Sequence, residues 1–169
     1  MFLVFEILTV LILFVSLIYG IKYILLLSAK RNTDKSFCKT FDELLLLYEE
    51  IITLFSLNPA DSFDDKNLVG DTKKLISEAK TFSIQTDSNE RIIAYANTIL
   101  ENTKTFTDRI CEKEGENLSI KNYNKQVNEF NKTKELYNSS AIKLKYYVDV
   151  FPTSLFARLK DIKTVDFLN

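Results

Sequence analysis

Ser119–Phe151, SIKNYNKQVNEFNKTKELYNSSAIKLKYYVDVF, decides the fold class. Within it Ile120, Tyr123, Val127, Phe130, Lys134, Tyr137, Ala141, Leu144, Val148 and Phe151 are spaced alternately by three and four, and all but Lys134 are apolar. That period belongs to an α-helix with one continuous apolar seam. Asn117 or Ser119 offers a side-chain oxygen to cap its start, and Pro152 blocks its continuation. A run of roughly 33 residues measures about 50 Å at 1.5 Å per residue. A seam that long needs partner helices of comparable length.

The sequence supplies them. Three glycines and two prolines in 169 residues permit long helices almost everywhere. Between 36 and 57, Phe37, Phe41, Leu44, Leu45, Tyr48, Ile51, Ile52 and Phe55 share one helical face, which Asn58-Pro59 ends. Asp61 to Asp65 reads as a loop. A weaker helix is expected over 65–82, with Leu68, Thr72, Leu75, Ile76 and Ala79 on one side and Gly70 against it. Asp87-Ser88-Asn89-Glu90 has capping-box spacing and opens a helix to about Glu112. That helix uses Ile92, Ile93, Ala96, Ile99, Leu100, Thr103, Phe106 and Ile110, and Gly115 ends it. Short connections between amphipathic helices imply an antiparallel, four-helix-bundle-like domain. The last segment, 153–169, mixes Leu155, Phe156, Leu159 and Ile162 with Arg158, Lys160 and Lys163. It is expected to be a short amphipathic helix that docks on the bundle or lies on a membrane.

At the other end, Phe2 to Leu27 is apolar except for Glu6 and Lys22 and a few weakly polar residues. A bilayer core takes about 20 apolar residues in helical form, and a lone helix satisfies its own backbone there. A secretory signal would carry basic residues before a shorter apolar run, and a small-residue cleavage site after it. Here no Lys or Arg precedes the run, and Leu27-Ser28-Ala29-Lys30 is a poor cleavage site. The expectation is an all-α protein with an uncleaved transmembrane anchor at 1–30, touching lipid through 2–27, and a helical domain at 31–169. Lys22, Lys30, Arg31, Lys35 and Lys39 all follow the span, so the domain is expected in the cytoplasm.

Composition removes several classes of function. The chain has no His, which takes away the usual general base, metal ligand and pH switch. Cys38 and Cys111 are not in CxxC spacing and read as two buried free thiols. The glycines are too scattered to cradle a phosphate. A net charge of −1 without a basic stripe gives no footing for nucleic acid. Glu49-Glu50 and Asp64-Asp65 are the carboxylate pairs a hard cation would want, but charge runs are usually solvated faces. Tyr123, Tyr137, Tyr146 and Tyr147 fit the seam or an interface better than a cofactor box. No catalytic residue, cofactor or metal site is expected. The Asn-x-Ser/Thr sites at Asn117, Asn131 and Asn138 carry weight only in a secretory context.

The segment 137–168, YNSSAIKLKYYVDVFPTSLFARLKDIKTVDFL, resembles the end of the LemA family of bacterial membrane-anchored helical proteins. The matching positions are Tyr137-Asn138, Phe151-Pro152, the small residue Ala157 and, in part, Phe167-Leu168. Asn128, nine residues before the Tyr, also falls where the family often has Asn. The second Tyr-Asn of the family is Leu144-Lys145 here, and its Gly-Phe after the Phe-Pro is Asp161-Ile162. The acidic and Ile-Pro-Asn-type stretch expected after the anchor is absent from 31–58. The resemblance implies a membrane-tethered antiparallel helical bundle without catalysis. Read from the residues alone, Phe151 closes the seam by plugging the bundle, while Tyr137 and Asn138 fix packing through a hydroxyl and an amide. The expected role is a non-catalytic scaffold or adaptor acting through protein contacts. The alternative is a bilayer-associated, lipid-binding or membrane-remodelling protein. The seam leaves pairing between copies of the chain open.

Overall fold

A computed structural model describes residues 2–58, 60, 63–82, 89–115, 117–165 and 167–168; at 2–4, 63, 89–90 and 114 it describes the backbone alone. The chain is all-α. Helix α1, Phe2–Leu57, is continuous over 56 residues. The polar stretch 28–36 does not interrupt it, because that stretch contains neither Gly nor Pro. Lys30 pairs with Asp34 at 2.7 Å, one turn apart. The hydroxyls of Thr33 and Ser36 donate to the carbonyls of Ala29 and Asn32 at 3.0 and 2.8 Å. At the far end the Asn58 amide side chain donates to Leu54 O at 2.8 Å and closes the last turn. Pro59 lies outside the described residues.

Helix α2, Phe63–Ala79, begins earlier than the sequence suggests, so the expected loop does not reach Asp65. Asp64 and Asp65 stand in its first turn, where the helix dipole favours a negative charge. Helix α3 runs Asn89–Glu114. Of its expected capping box, Asp87 and Ser88 lie outside the described residues. Gly115 ends α3 in the left-handed conformation, φ 79°, which only Gly adopts without strain. Helices α2 and α3 form an antiparallel hairpin: Asp65 pairs with Arg109, and the Tyr95 hydroxyl donates to Glu78 at 3.0 Å.

Helix α4, Leu118–Asp149, is the seam helix. Asn117 caps it, accepting from Ile120 N at 3.0 Å. Helix α5, Thr153–Leu159, follows a cis Phe151-Pro152 bond and is shorter than expected. Beyond it the described residues are not helical, which corrects the expectation of a helix over 153–169. Two bonds end α5: Ile162 N donates to Ala157 O at 2.8 Å and Asp161 N to Arg158 O at 3.3 Å. Together with Asp161 at φ 49° and the shared burial of Ile162 and Ala157, they make a Schellman motif.

Two compact units result, each threaded by both long helices. Phe37–Leu136 with Leu168–Asn169 is a four-helix unit. Here α1 and α4 are antiparallel, with Thr40 Oγ1 donating to Thr133 O at 3.0 Å and Asn58 Nδ2 to Ser119 Oγ at 2.8 Å. Leu47, Tyr48, Ile51, Leu54, Ile76, Ile99, Phe106 and Ile120 are its deepest side chains. Phe55 and Phe106 meet edge to face, centroids 5.1 Å apart. Met1–Ser36 with Tyr137–Phe167 is the second unit. Its core is small: Leu26, Ala29, Leu144, Ala157 and Ile162, flanked by half-buried Tyr147, Val148, Phe156 and Val165. The division of the chain into an anchor at 1–30 and a domain at 31–169 concerns its surroundings rather than its compactness.

Candidate membrane-contacting surface

Burial along α1 changes character at one residue. From Phe5 to Ile18 every side chain is exposed, whichever way it points round the helix. From Tyr19 onward burial recurs every three or four residues, at Tyr19, Lys22, Tyr23, Leu26, Ala29 and Thr33. The first stretch is covered by no other described element on any side; the second is covered along a single face. Among the described residues this is the one helix long and apolar enough to cross a membrane.

The partner of that face is the end of α4 together with α5. The Thr33 hydroxyl lies 3.1 Å from Ser140 O, and Ser36 and Ser140 hydroxyls are 3.3 Å apart. Small and hydroxyl-bearing residues let the two backbones approach and bridge them with hydrogen bonds, the same device that joins helices inside membranes. Nearer the apolar end, Phe156 packs on Tyr23 and Tyr19, with centroid distances of 5.3 and 6.0 Å. Phe151 meets Tyr19 edge-on at 6.3 Å.

The outer faces of these elements are also apolar. Ile142, Tyr146 and Val150 form an exposed i, i+4, i+8 stripe along α4 and just past its end, and Leu155 and Leu159 are exposed one turn apart on α5. Leu159 is 80% exposed. Arg158, Lys160 and Lys163, in α5 and just after it, are exposed too, with Lys163 3.5 Å from Asp161. Further along α4, a shallow groove of about 190 Å³ opens between Ser28, Asn32, Ser140 and Lys143.

The residues singled out by sequence fall here, in roles that differ from one another. Tyr137 is wholly buried, and Ala157 sits in the small core. Asn138 is half-buried. Pro152 takes the capping position before α5 without a side-chain bond. Phe151 does not plug the bundle: it is 66% exposed, because α4 ends at Asp149 and the chain turns before Phe151 can follow the seam. The thiols of Cys38 and Cys111 are free, yet exposed rather than buried. Helical phase explains Cys38, which follows Phe37 by one residue and so points away from the Phe37–Phe41–Leu44 face.

Elsewhere the polar groups are engaged in holding helices. Glu49 pairs with Lys80, and Asp65 with Arg109, so one carboxylate of each pair is held in an ion pair between helices; no group of three or more potential metal ligands gathers among the described residues. The Asn58, Asn117 and Ser119 side chains close a ring of hydrogen bonds of 2.6–2.8 Å at one end of the four-helix unit. Burial pushes the Tyr48 hydroxyl's pKa well up, and burial aided by Asp108 pushes that of Tyr123 up to about 12. Lys132 holds the Glu129 carboxyl below its usual range. A cleft between α1, α3 and α4, into which Leu168 packs beside Phe41, Ile92 and Phe130, encloses about 20 Å³. That is room for about one water.

Comparisons of the chain with protein-family models, with curated proteins and with solved structures give no match.

Proposed function

We propose that the chain is a membrane-anchored, non-catalytic helical scaffold, a divergent LemA-like protein that works through contacts with other proteins. One observation carries the anchor: apolar side chains are exposed on every side of α1 from Phe5 to Ile18. Water does not tolerate such a surface over several turns, and hydrocarbon does. The scaffold role is supported by the four-helix unit's small cleft beside Leu168, which at about 20 Å³ has room for one water rather than a metabolite.

The LemA-like reading draws support from its own departures. Asp161 stands where the family has Gly, and it occupies a left-handed position that Gly ordinarily fills. Ile162 stands where the family has Phe, and it is buried. The domain side is read as cytoplasmic because Arg158, Lys160 and Lys163 join Lys22, Lys30 and Arg31 in one unit beside the end of the span.

Crosslinking in cells that carry the full chain, followed by identification of what is captured, tests the scaffold. Repeated recovery of no protein partner counts against it. Maleimide labelling at the exposed Cys38 and Cys111 from each side of the membrane reads the orientation directly. The second reading, a bilayer-associated remodelling protein, is favoured by the apolar stripe on α4 and α5. Reconstitution at rising protein-to-lipid ratio separates the two: a scaffold leaves vesicle shape unchanged, a remodeller tubulates or divides them.

A further inference from the structure

We infer that α5 and the Val150–Phe151 turn form a second bilayer contact, a membrane-surface foot embedded at the boundary between hydrocarbon and headgroups on the side where α1 leaves the membrane. The inference rests on the anchor reading and adds to it a site, a depth and an occupant.

The depth follows from counting along α1. The uncharged run Ile7–Ile21 is about 15 residues, or roughly 22 Å at 1.5 Å per residue. A hydrocarbon core is about 30 Å thick. The whole run therefore fits inside it, and the boundary falls no earlier than about Ile21. Tyr19 lies within that boundary, and Phe151 and Phe156 pack directly on Tyr19. Ring centroids 6.0 and 6.3 Å away keep Phe156 and Phe151 within that distance of its depth.

Chemistry agrees with this position. A foot at that depth must be apolar below, aromatic at the level of the headgroups and basic around its rim. Leu155 and Leu159 are exposed one turn apart on α5, and Phe151, in the turn before that helix, is exposed as well. Tyr19, Tyr23 and Phe156 form the aromatic contact at the junction. Arg158 and Lys160 are exposed at the end of the same short helix, with Lys163 just beyond. Leu159 is 80% exposed on the same helical face as Leu155, and a bilayer surface would cover both. Interfacial helices of this kind bury their apolar face by about 5–10 Å.

The chain has no Trp, so single tryptophans are clean probes of depth. Full-length Leu155→Trp, Leu159→Trp, Phe14→Trp and Ile142→Trp are reconstituted separately in vesicles containing lipids brominated either high or deep on the acyl chain. Phe14→Trp reports the span, and Ile142→Trp reports α4 about 12 Å beyond Val150 at 1.5 Å per residue. The expected result is that Leu155→Trp and Leu159→Trp emit blue-shifted light and lose intensity most to the shallow bromines, while Phe14→Trp loses most to the deep ones. Ile142→Trp should keep its intensity and respond to aqueous iodide. If Phe14→Trp is quenched while both α5 probes respond only to iodide, the foot is overturned and the anchor stands. If Phe14→Trp itself escapes every brominated lipid, the anchor fails and the foot falls with it.

Discussion

The four-helix unit and the anchor-side unit are made from the same residue types and dispose of them in opposite ways. In the first, most of the Leu, Ile and Phe point inward, and the ring at Phe55 finds the ring at Phe106. In the second, most of the Leu, Ile and Phe point outward and only a handful of side chains close a core. Apolar burial is worth roughly 25 cal/mol per Å² only when the alternative is water. The difference therefore reports what lies outside each unit: water around one, and lipid around the exposed stretch of the other on the anchor reading.

Truncation of a core side chain is the strongest way to press on that contrast. Ile99→Ala, in the centre of the four-helix unit, should cost about 2–5 kcal/mol. Phe14→Ala makes the matching cut on the span, where the ring is exposed and fills no protein core. It should leave folding within about 0.5 kcal/mol. Urea unfolding of the full chain in mild detergent, followed by circular dichroism, measures both. Equal losses would erase the distinction between the units.

High pH offers the next largest effect. The Tyr123 pKa, raised to about 12, exceeds its unfolded value near 10, so the folded state holds its proton more tightly. This contribution is complete below about pH 10 and is lost as pH rises through about 12, on the order of 2 kcal/mol. Melting temperature against pH, with phenolate absorbance alongside, checks it; Tyr123→Phe should flatten part of the fall. Smaller again is Thr40→Val, which removes the donor to Thr133 O and should cost about 1 kcal/mol in the same urea titration. The smallest change has the opposite sign. Asp161→Gly relieves a left-handed residue at the end of α5 and should stabilise the anchor-side unit by about 0.5–1 kcal/mol, read as slower amide exchange at Ile162.

How legible these features were in the sequence depended on how local their cause is. The α4 seam was plain, since Ile120 to Leu144 keep the spacing of a single face and the structure buries most of them. The faces of α2 and α3 were similarly readable from Ile76, Ile92, Ile99 and Phe106. The continuity of α1 was not. Residues 28–36 break the apolar pattern and look like a boundary, yet with neither Gly nor Pro among them nothing stops the helix. The shortness of α5 was hidden because its stop signal is an Asp in a place where Gly is the usual sign. The apolar stripe on α4 and α5 was visible as residue types, but its exposure depends on Phe156 meeting Tyr19 and Tyr23, a contact between distant parts of the chain.

The hydroxyl seam between α1 and α4 has a consequence for how the chain is made. Thr33 and Ser140 are 107 residues apart, whereas Glu78 and Tyr95, which join α2 to α3, are separated by 17. At a synthesis rate of about 5–20 residues per second, the α1 face waits on the order of 5–20 seconds for its partner. Over that interval the hydroxyls of Thr33 and Ser36 have acceptors within their own helix, at Ala29 O and Asn32 O, and in the folded chain Thr33 also reaches Ser140 O. The hairpin of α2 and α3 has both its halves in hand before α4 is made.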